Sequence, residues 1–163
     1  MRRVLNFASP REHYVADAAV VWCFDCRFET AFRKLLKRIG VFKWDSIRIA
    51  GGAKSLVSPE HESDRSFILD QVRKSVRLHG TEMAILMLHS DCGAYGGLAA
   101  FKGDAQKEAQ LHNSELQKAT AFLKEKIPEL EVKAYLVDFD GVWEIELTGA
   151  ADYVGAQSSD DRV

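Results

Sequence analysis

The sequence predicts a three-layer α/β/α fold with a mostly parallel four-stranded sheet plus an antiparallel extension. Short apolar runs alternate along the chain with longer segments in which leucine and isoleucine recur at helical spacing. Glycine or proline stands at several of the boundaries between these segments. The 163 residues suffice for one domain with a buried core, and 47% hydrophobic and 28% charged residues are ordinary for a globular protein.

Five segments have the composition of β-strands, and four of them are short runs rich in apolar residues. Continuous apolar character is typical of parallel strands that are covered on both faces. The fifth segment alternates apolar and polar residues after Asp140-Gly141, a dipeptide typical of hairpin turns, and therefore predicts an antiparallel strand. In chain order the predicted strands are 18–24 (AAVVWCF), 46–52 (SIRIAGG), 82–90 (EMAILMLHS), 132–139 (VKAYLVDF) and 142–147 (VWEIEL).

Three segments between these strands predict helices. The first contains the basic stretch "FRKLLKRIG", the solvated face of an amphipathic helix, and Gly40 is well placed to end it. Ser58 and Pro59 predict the N-cap and the first residue of the second helix. Asp104 predicts the cap of the third helix, which must end near Pro128. In chain order the predicted helices are 27–40, 58–78 and 105–127.

Composition and charge exclude several classes of protein. The net charge is -2, from 22 basic and 24 acidic residues, which gives no electrostatic basis for binding nucleic acid or a membrane surface. The apolar runs are far shorter than the roughly 20 residues of a membrane helix, and polar residues interrupt the N-terminus before a signal-like core forms. Three cysteines, an odd count, argue against a disulfide framework. We therefore expect a cytoplasmic protein with no nucleic-acid or membrane partner.

Candidate metal ligands follow two of the predicted strands. Cys23 lies where the first strand ends, and the stretch "HSDC" places His89 and Cys92 three residues apart as the chain leaves the third strand. Ligand sites in such sheets lie outside the carboxyl ends of the strands. If these two strands are neighbours, two sulfurs and one imidazole nitrogen converge. That set suits zinc, and three protein ligands with an open fourth position are the catalytic pattern.

Asp25 and Arg27 lie beside the first of these cysteines. They are two residues apart, so in an extended chain they share a face and can pair. An aspartate beside zinc either binds the metal and closes the site or accepts a hydrogen bond from a hydroxide, and Arg27 would decide by holding the carboxylate. A structural ion pair that tethers the strand end is the alternative. Cys26 is expected to be a small buried residue rather than a redox switch.

Two motifs together resemble those of the β-class carbonic anhydrases. "CFDCR" resembles the family's C-x-D-S-R, and "HSDCG" resembles its H-x-x-C-G. "IRIAGG" and "AYLVDFDGVWEIE" are similar to further segments of the family, in the same order. The chain is identified as a short, divergent member. It is predicted to comprise an N-terminal arm over 1–15, a β-carbonic anhydrase-like zinc domain over 16–148 and a polar C-terminal tail over 149–163.

The resemblance implies a reaction, a metal and an assembly state. The reaction is the reversible hydration of carbon dioxide to bicarbonate, and the assembly is a homodimer or higher homo-oligomer. The implied zinc ligands are Cys23, His89 and Cys92, and the implied catalytic residues are Asp25 and Arg27. Residues expected near the substrate pocket are Gly51, Gly52, Gly93 and Tyr95.

Several alternatives stay open at this point. The same scaffold can serve a hydrolase of a related linear molecule, such as carbonyl sulfide or carbon disulfide. A zinc-binding regulatory or interaction module without turnover is the third hypothesis. Asp91 either caps the turn after the third strand or contributes a hydrogen bond to the ligand shell. Tyr95 either lines the pocket or is an ordinary loop aromatic, and the paired glycines favour close backbone approach over a phosphate cradle.

Overall fold

The computed structural model describes residues 1–146, which form one sheet with helices on both faces. Its strands are β1 Ala18–Trp22, β2 Trp44–Arg48, β3 Met83–His89, β4 Glu131–Val137 and β5 Val142–Glu144. Its helices are α1 Glu29–Arg38, α2 Lys54–Val57, α3 Glu62–His79, α4 Gly97–Ala100 and α5 Ala105–Lys126.

The sheet has the strand order β2-β1-β3-β4-β5. The first four strands are mutually parallel, and β5 runs antiparallel to β4. The predicted three-layer fold, with its antiparallel extension, is therefore confirmed. In the β1–β3 pair Val20 lies opposite Ile85, and Val21 lies opposite Leu86. The two strands that precede the cysteine motifs are thus neighbours, with their carboxyl ends at one edge of the sheet.

The core consists of two apolar layers because successive strand residues point to opposite faces of the sheet. Val20 and Trp22 face α1, where the Trp22 and Phe32 rings stack with centroids 5.8 Å apart. Val21 faces the opposite layer of α2, α3 and α5, together with Val72. Each large apolar side chain buried in this way contributes about 1.5–3 kcal/mol. Every residue of β1 is fully buried, as expected for a central strand covered on both faces.

The second strand differs from its prediction. β2 spans Trp44–Arg48, so it begins two residues earlier than the predicted 46–52 and ends well before the paired glycines. The Gly52 N–H donates to the Ile49 carbonyl at 3.1 Å, and the Lys54 N–H donates to the Gly51 carbonyl. These bonds turn the chain into α2, a short helix that the sequence pattern did not predict.

The second predicted helix begins later than expected. Ser58 is the C-cap of α2 rather than the N-cap of the next helix, and α3 begins at Glu62 after His61. The Asp64 carboxylate accepts the His61 N–H at 3.2 Å, which fixes the first turn at that point. The third helix agrees with its prediction, since the Asp104 carboxylate accepts the Lys107 N–H at 3.0 Å and caps α5.

The N-terminal residues are tied to the opposite end of the sheet from the cysteines. Residues 1–15 form neither helix nor strand. The Tyr14 hydroxyl donates to the Asp45 carboxylate at 2.7 Å, and Ser75 and His79 bond the same carboxylate from α3. Residues 147–163, which include the predicted tail, lie outside the described residues, and the division at residues 15 and 148 stays a prediction. Within 1–146 no helix is both long and apolar enough to cross a membrane.

Candidate metal centre

Three donor side chains meet at the carboxyl edge of the sheet. Cys23 is the first residue after β1, His89 is the last residue of β3, and Cys92 follows three positions later. Their ligand atoms all lie within 4.8 Å of one another. All three side chains are buried, at 3%, 1% and 2% exposure. The adjacency of β1 and β3 therefore produces the convergence that the sequence pattern required.

The hydrogen bonds of His89 leave one nitrogen available as a ligand. Its Nδ1 lies 2.8 Å from the Ser90 carbonyl oxygen, which can only accept, so Nδ1 carries the proton. In the neutral form of the ring, the lone pair is then on Nε2. Nε2 is buried and has no hydrogen-bond partner among the described residues. A bound metal would satisfy this atom, and a carbonyl on the other nitrogen is the usual way of orienting a metal-binding histidine.

The two cysteine thiols have different pKa values. A hydrogen bond between Cys23 and Cys92 lowers the pKa of the Cys23 thiol and raises that of Cys92, because one proton lies between them. The pair therefore supplies a thiolate, the form of cysteine that binds metals. Two sulfurs and one imidazole nitrogen are a ligand set that suits zinc. The Cys23, His89 and Cys92 group can hold a metal ion, and the assignment of these residues as ligands stays a prediction.

An arginine bridges two carboxylates beside this group. Arg27 donates from Nε and Nη2 to Asp25 Oδ2 at 3.0 and 2.7 Å, and from Nη1 to Asp91 Oδ2 at 2.8 Å. The hydrogen bonds from Arg27 hold the pKa of Asp25 at about 2, despite the opposing effect of its partial burial. Asp25 Oδ2 lies 3.9 Å from His89 Nε2. An ionised carboxylate therefore stands next to the candidate metal position without hydrogen-bonding to the imidazole.

The local backbone around Asp25 differs from the extended chain that was expected. The strand ends at Trp22, and Cys26–Phe28 form a 3-10 turn capped by Asp25, whose carboxylate accepts the Arg27 N–H at 2.9 Å. The pair forms within this turn rather than along a strand. The turn also directs Cys26 to solvent. The expectation that Cys26 is buried is therefore wrong.

A cavity of about 770 Å³ opens in front of the three donors. Gly51 and Gly93, both predicted near the pocket, line it. Gly52 and Tyr95 do not line the cavity. Gly52 lies behind Cys23, and the Tyr95 ring packs against the His112 ring with centroids 4.6 Å apart. The residues that line the cavity are Cys23, Phe24, Asp25, Arg27, Ala50, Gly51, His89, Asp91, Cys92, Gly93, Ala94, Gly96 and Gly97.

Comparison with known proteins identifies the family. The model of the family described as "Putative carbonic anhydrase" matches residues 15–148. The chain belongs to this family. Its fold and motifs make it a divergent β-carbonic anhydrase-like member. An uncharacterized protein of Rickettsia bellii (strain RML369-C) is 31% identical over 150 residues, covering 88% of this chain and 92% of the relative.

Solved structures of carbonic anhydrases share the fold. The enzyme from Streptococcus mutans aligns with a TM-score of 0.58 at 18% identity, covering 86% of this chain and 88% of that one. Carbonic anhydrase from Glaciozyma antarctica aligns with a TM-score of 0.53 at 22% identity, covering 82% and 84%. The apo form of a carbon disulfide hydrolase aligns with a TM-score of 0.54 at 13% identity, covering 83% and 82%.

Sequence reasoning missed one part of the site in this carbonic anhydrase family member. Asp91 caps the turn, as one alternative held, because its carboxylate accepts the Leu98 N–H at 2.9 Å. It is also a second carboxylate partner of Arg27, and its N–H donates to the buried Glu108 at 2.8 Å. The position of Asp91 inside "HSDC" was the available signal. Nothing in the sequence marked Glu108, which lies one turn into an otherwise ordinary helix.

Gly52 shows how closely the family scaffold packs behind the donors. Its φ is +54°, and a Cβ there would lie 2.5 Å from the Met87 carbonyl oxygen and 3.0 Å from the Cys23 nitrogen. We predict that Gly52→Ala lowers the free energy of unfolding by about 3 kcal/mol, from overpacking added to backbone strain. Gly103→Ala is the control, because Gly103 has a φ of +81° but open space around it, and should cost only about 1 kcal/mol. Equal losses in urea denaturation of the two variants would contradict this account.

Proposed function

We propose that this protein is a zinc-dependent carbonic anhydrase that catalyses the reversible hydration of carbon dioxide to bicarbonate. One observation carries the proposal: the donor atoms of Cys23, His89 and Cys92 lie within 4.8 Å of one another at the base of a cavity. Three protein donors facing an accessible cavity are typical of catalytic rather than structural zinc sites. Membership of the carbonic anhydrase family supports the choice of reaction.

Cys23, His89 and Cys92 would hold the zinc ion. When bound, zinc supplies a Lewis acid that lowers the pKa of a coordinated water toward neutrality. The rest of the chemistry falls to the chain itself. The cavity brings apolar side chains, among them Phe24, Ala50 and Ala94, close to the donors, and such a surface suits a small, linear, uncharged substrate.

Asp25 would orient the nucleophile. Its carboxylate is ionised and only accepts hydrogen bonds, so it would accept a hydrogen bond from the attacking oxygen and leave a lone pair of that oxygen directed toward the carbon. Arg27 would hold the carboxylate through three side-chain contacts of 2.7–3.1 Å. A carboxylate fixed in this way keeps the geometry of the attack and does not swing toward the metal position.

Stopped-flow measurement of carbon dioxide hydration tests the proposal. The zinc-loaded protein is assayed across pH, with Cys92→Ser as the blank and zinc content measured in parallel. We expect turnover well above the blank. A protein with one zinc per chain and no turnover above the blank at any pH would contradict the proposed reaction.

A second candidate is a hydrolase of carbon disulfide or carbonyl sulfide. The similarity of the fold to a carbon disulfide hydrolase favours it, since the same scaffold is known to serve that enzyme. Both substrates are linear and uncharged, like carbon dioxide. The same zinc-loaded protein is therefore assayed for hydrogen sulfide release from each substrate. Bound zinc without turnover on any of the three molecules would leave the non-catalytic zinc module as the function.

We also propose that the chain assembles as a homodimer or higher homo-oligomer and acts in the cytoplasm. The β-carbonic anhydrases of Sordaria macrospora with this fold are described as tetrameric. Phe24, Phe139 and Trp143 are more than half exposed, which supports a covering partner. Phe24 follows β1, Phe139 follows β4, and Trp143 lies in the short strand β5. Three free cysteines support a reducing compartment.

A further inference from the structure

We infer that Glu108 is a positioning residue of the candidate site, although it does not line the cavity. The Glu108 carboxylate accepts a hydrogen bond from the main-chain N–H of Asp91. Asp91 accepts hydrogen bonds from Arg27, and Arg27 also donates hydrogen bonds to Asp25. Orientation of Asp25 therefore depends on a carboxylate buried in α5. The inference rests on the proposed function only in giving Asp25 a part in turnover.

The backbone of Asp91 needs outside support. Its φ is +53°, a left-handed conformation that residues with a side chain rarely adopt. Two of its hydrogen bonds tie it to neighbouring helices. Its N–H donates to Glu108 Oε1 at 2.8 Å, and its Oδ1 accepts the Leu98 N–H at 2.9 Å. Asp91 is thereby fixed both to α5 and to the start of α4.

This conformation presents two acceptors of Asp91 to the same guanidinium. Oδ2 accepts from Arg27 Nη1 at 2.8 Å, and the main-chain carbonyl accepts from Arg27 Nη2 at 2.9 Å. The other edge of the guanidinium carries the bonds to Asp25. Because the guanidinium is a rigid, planar fork, a rotation at Asp91 is transmitted to Asp25.

The environment of Glu108 makes a carboxylate an unexpected choice for a purely structural position. The side chain is 1% exposed, and within residues 1–146 it forms no ion pair with a lysine or arginine. Burial raises its pKa, which reflects the cost of placing a carboxylate there. α5 packs against β3 and β4, and side chains buried in such packing are usually apolar. The Glu108 carboxylate instead accepts a hydrogen bond from the main-chain N–H of Asp91.

Three variants separate positioning from packing. Glu108→Leu removes the acceptor at similar volume, whereas Glu108→Gln keeps a carbonyl oxygen that can accept the same N–H. Glu115→Leu is the matched control, because Glu115 lies on the same helix, is 5% exposed and bonds the Tyr95 hydroxyl at 3.4 Å instead. The readout is the solvent-exchange rate of the Arg27 Nε–H in protein labelled with ¹⁵N-arginine, with and without zinc. Loss of the signal in Arg27→Lys assigns it.

We expect the Arg27 Nε–H to exchange about 10-fold faster in Glu108→Leu, as expected for losing one hydrogen bond within a charged network. Glu108→Gln and Glu115→Leu should stay close to the wild-type rate. If the wild type turns over carbon dioxide, Glu108→Leu should lower kcat with KM unchanged, and Glu108→Gln should restore it. An unchanged exchange rate in Glu108→Leu would overturn the inference, and so would an equal increase in Glu115→Leu.

If Glu108→Leu does not fold, Gly97→Ala tests the same series of hydrogen bonds by displacing Asp91 directly. A Cβ at Gly97 would lie 2.9 Å from Asp91 Oδ1, so it displaces Asp91 while leaving Glu108 intact. Faster exchange at Arg27 is expected there too, and wild-type exchange would overturn the inference. A wild-type protein without carbonic anhydrase activity would refute the proposed function alone, because the exchange measurement does not depend on turnover.

Discussion

Cys92→Ser is expected to remove stoichiometric zinc from the protein and to abolish turnover. A serine hydroxyl stays protonated at neutral pH and cannot replace a thiolate, and only Cys23 and His89 would remain as donors. The loss of zinc affinity should exceed the roughly 10–100-fold typical of residues that merely orient a ligand. Zinc content by elemental analysis and competition with a chelator measure the effect. Zinc should also no longer raise the thermal midpoint, since a ligand stabilises only the state that binds it.

Cys26→Ser provides the control for this change. It also replaces a thiol by a hydroxyl, at a position three residues after Cys23. The Cys26 side chain, however, is exposed and lies outside the donor group. It should keep one zinc per chain. Stoichiometric zinc retained by Cys92→Ser would show that the ligand set is wrong, and zinc lost by both variants would point to a general effect of removing thiols.

Asp25→Asn is expected to keep zinc but to lose most turnover, by about 10²–10³-fold. The amide is nearly isosteric and can still accept one hydrogen bond from Arg27, so the fold and the three donors should be unaffected. It lacks the negative charge and presents a donor where the carboxylate presents an acceptor. Stopped-flow kinetics on zinc-loaded protein, normalised to zinc content, measure the loss.

Asp140→Asn is the matched control for Asp25→Asn. Asp140 is an exposed residue of the turn that follows β4 at the same edge of the sheet, and asparagine is equally suited to that turn. It should retain both zinc and activity. Wild-type activity in Asp25→Asn would reject the role assigned to Asp25 and leave the Asp25–Arg27 contact as a structural ion pair.

The positions of β1 and β3, and of the donors that follow them, were predictable because each depends on a strong local pattern. β1 and β3 are unbroken apolar runs, and polar donors follow both of them directly. Parallel topology then places the ends of these strands at one edge. The boundary at Ser58 was predicted wrongly because Ser-Pro is only a local signal. The Ser58 N–H donates to the Lys54 carbonyl at 2.8 Å and ends α2 there. The Asp64 cap starts α3 at Glu62.

The polar residues of α5 show the limit of sequence reasoning. A helix with charged residues on several faces suggests that they are solvated, yet Glu108, His112 and Glu115 are all buried. They are buried because α5 packs against the sheet and α2, while Tyr95 of the loop after Cys92 covers His112 and bonds Glu115. The path of that loop depends on contacts between distant residues, such as the bond between Asp91 and Glu108. No periodicity in the sequence encodes such a contact.

The pairing of β1 with β3 also fixes when the site can form during synthesis of the chain. Arg27 and Asp91 are 64 positions apart, and α1, β2 and α3 are made between them. A ribosome-bound chain that ends before β3 therefore has Cys23, Asp25 and Arg27 but still lacks His89, Asp91 and Cys92. Non-local parallel pairing is slow to form. The thiol of Cys23 thus stays accessible to oxidants until β3 has been translated and docked, which makes early folding the stage at which this protein depends most on a reducing environment.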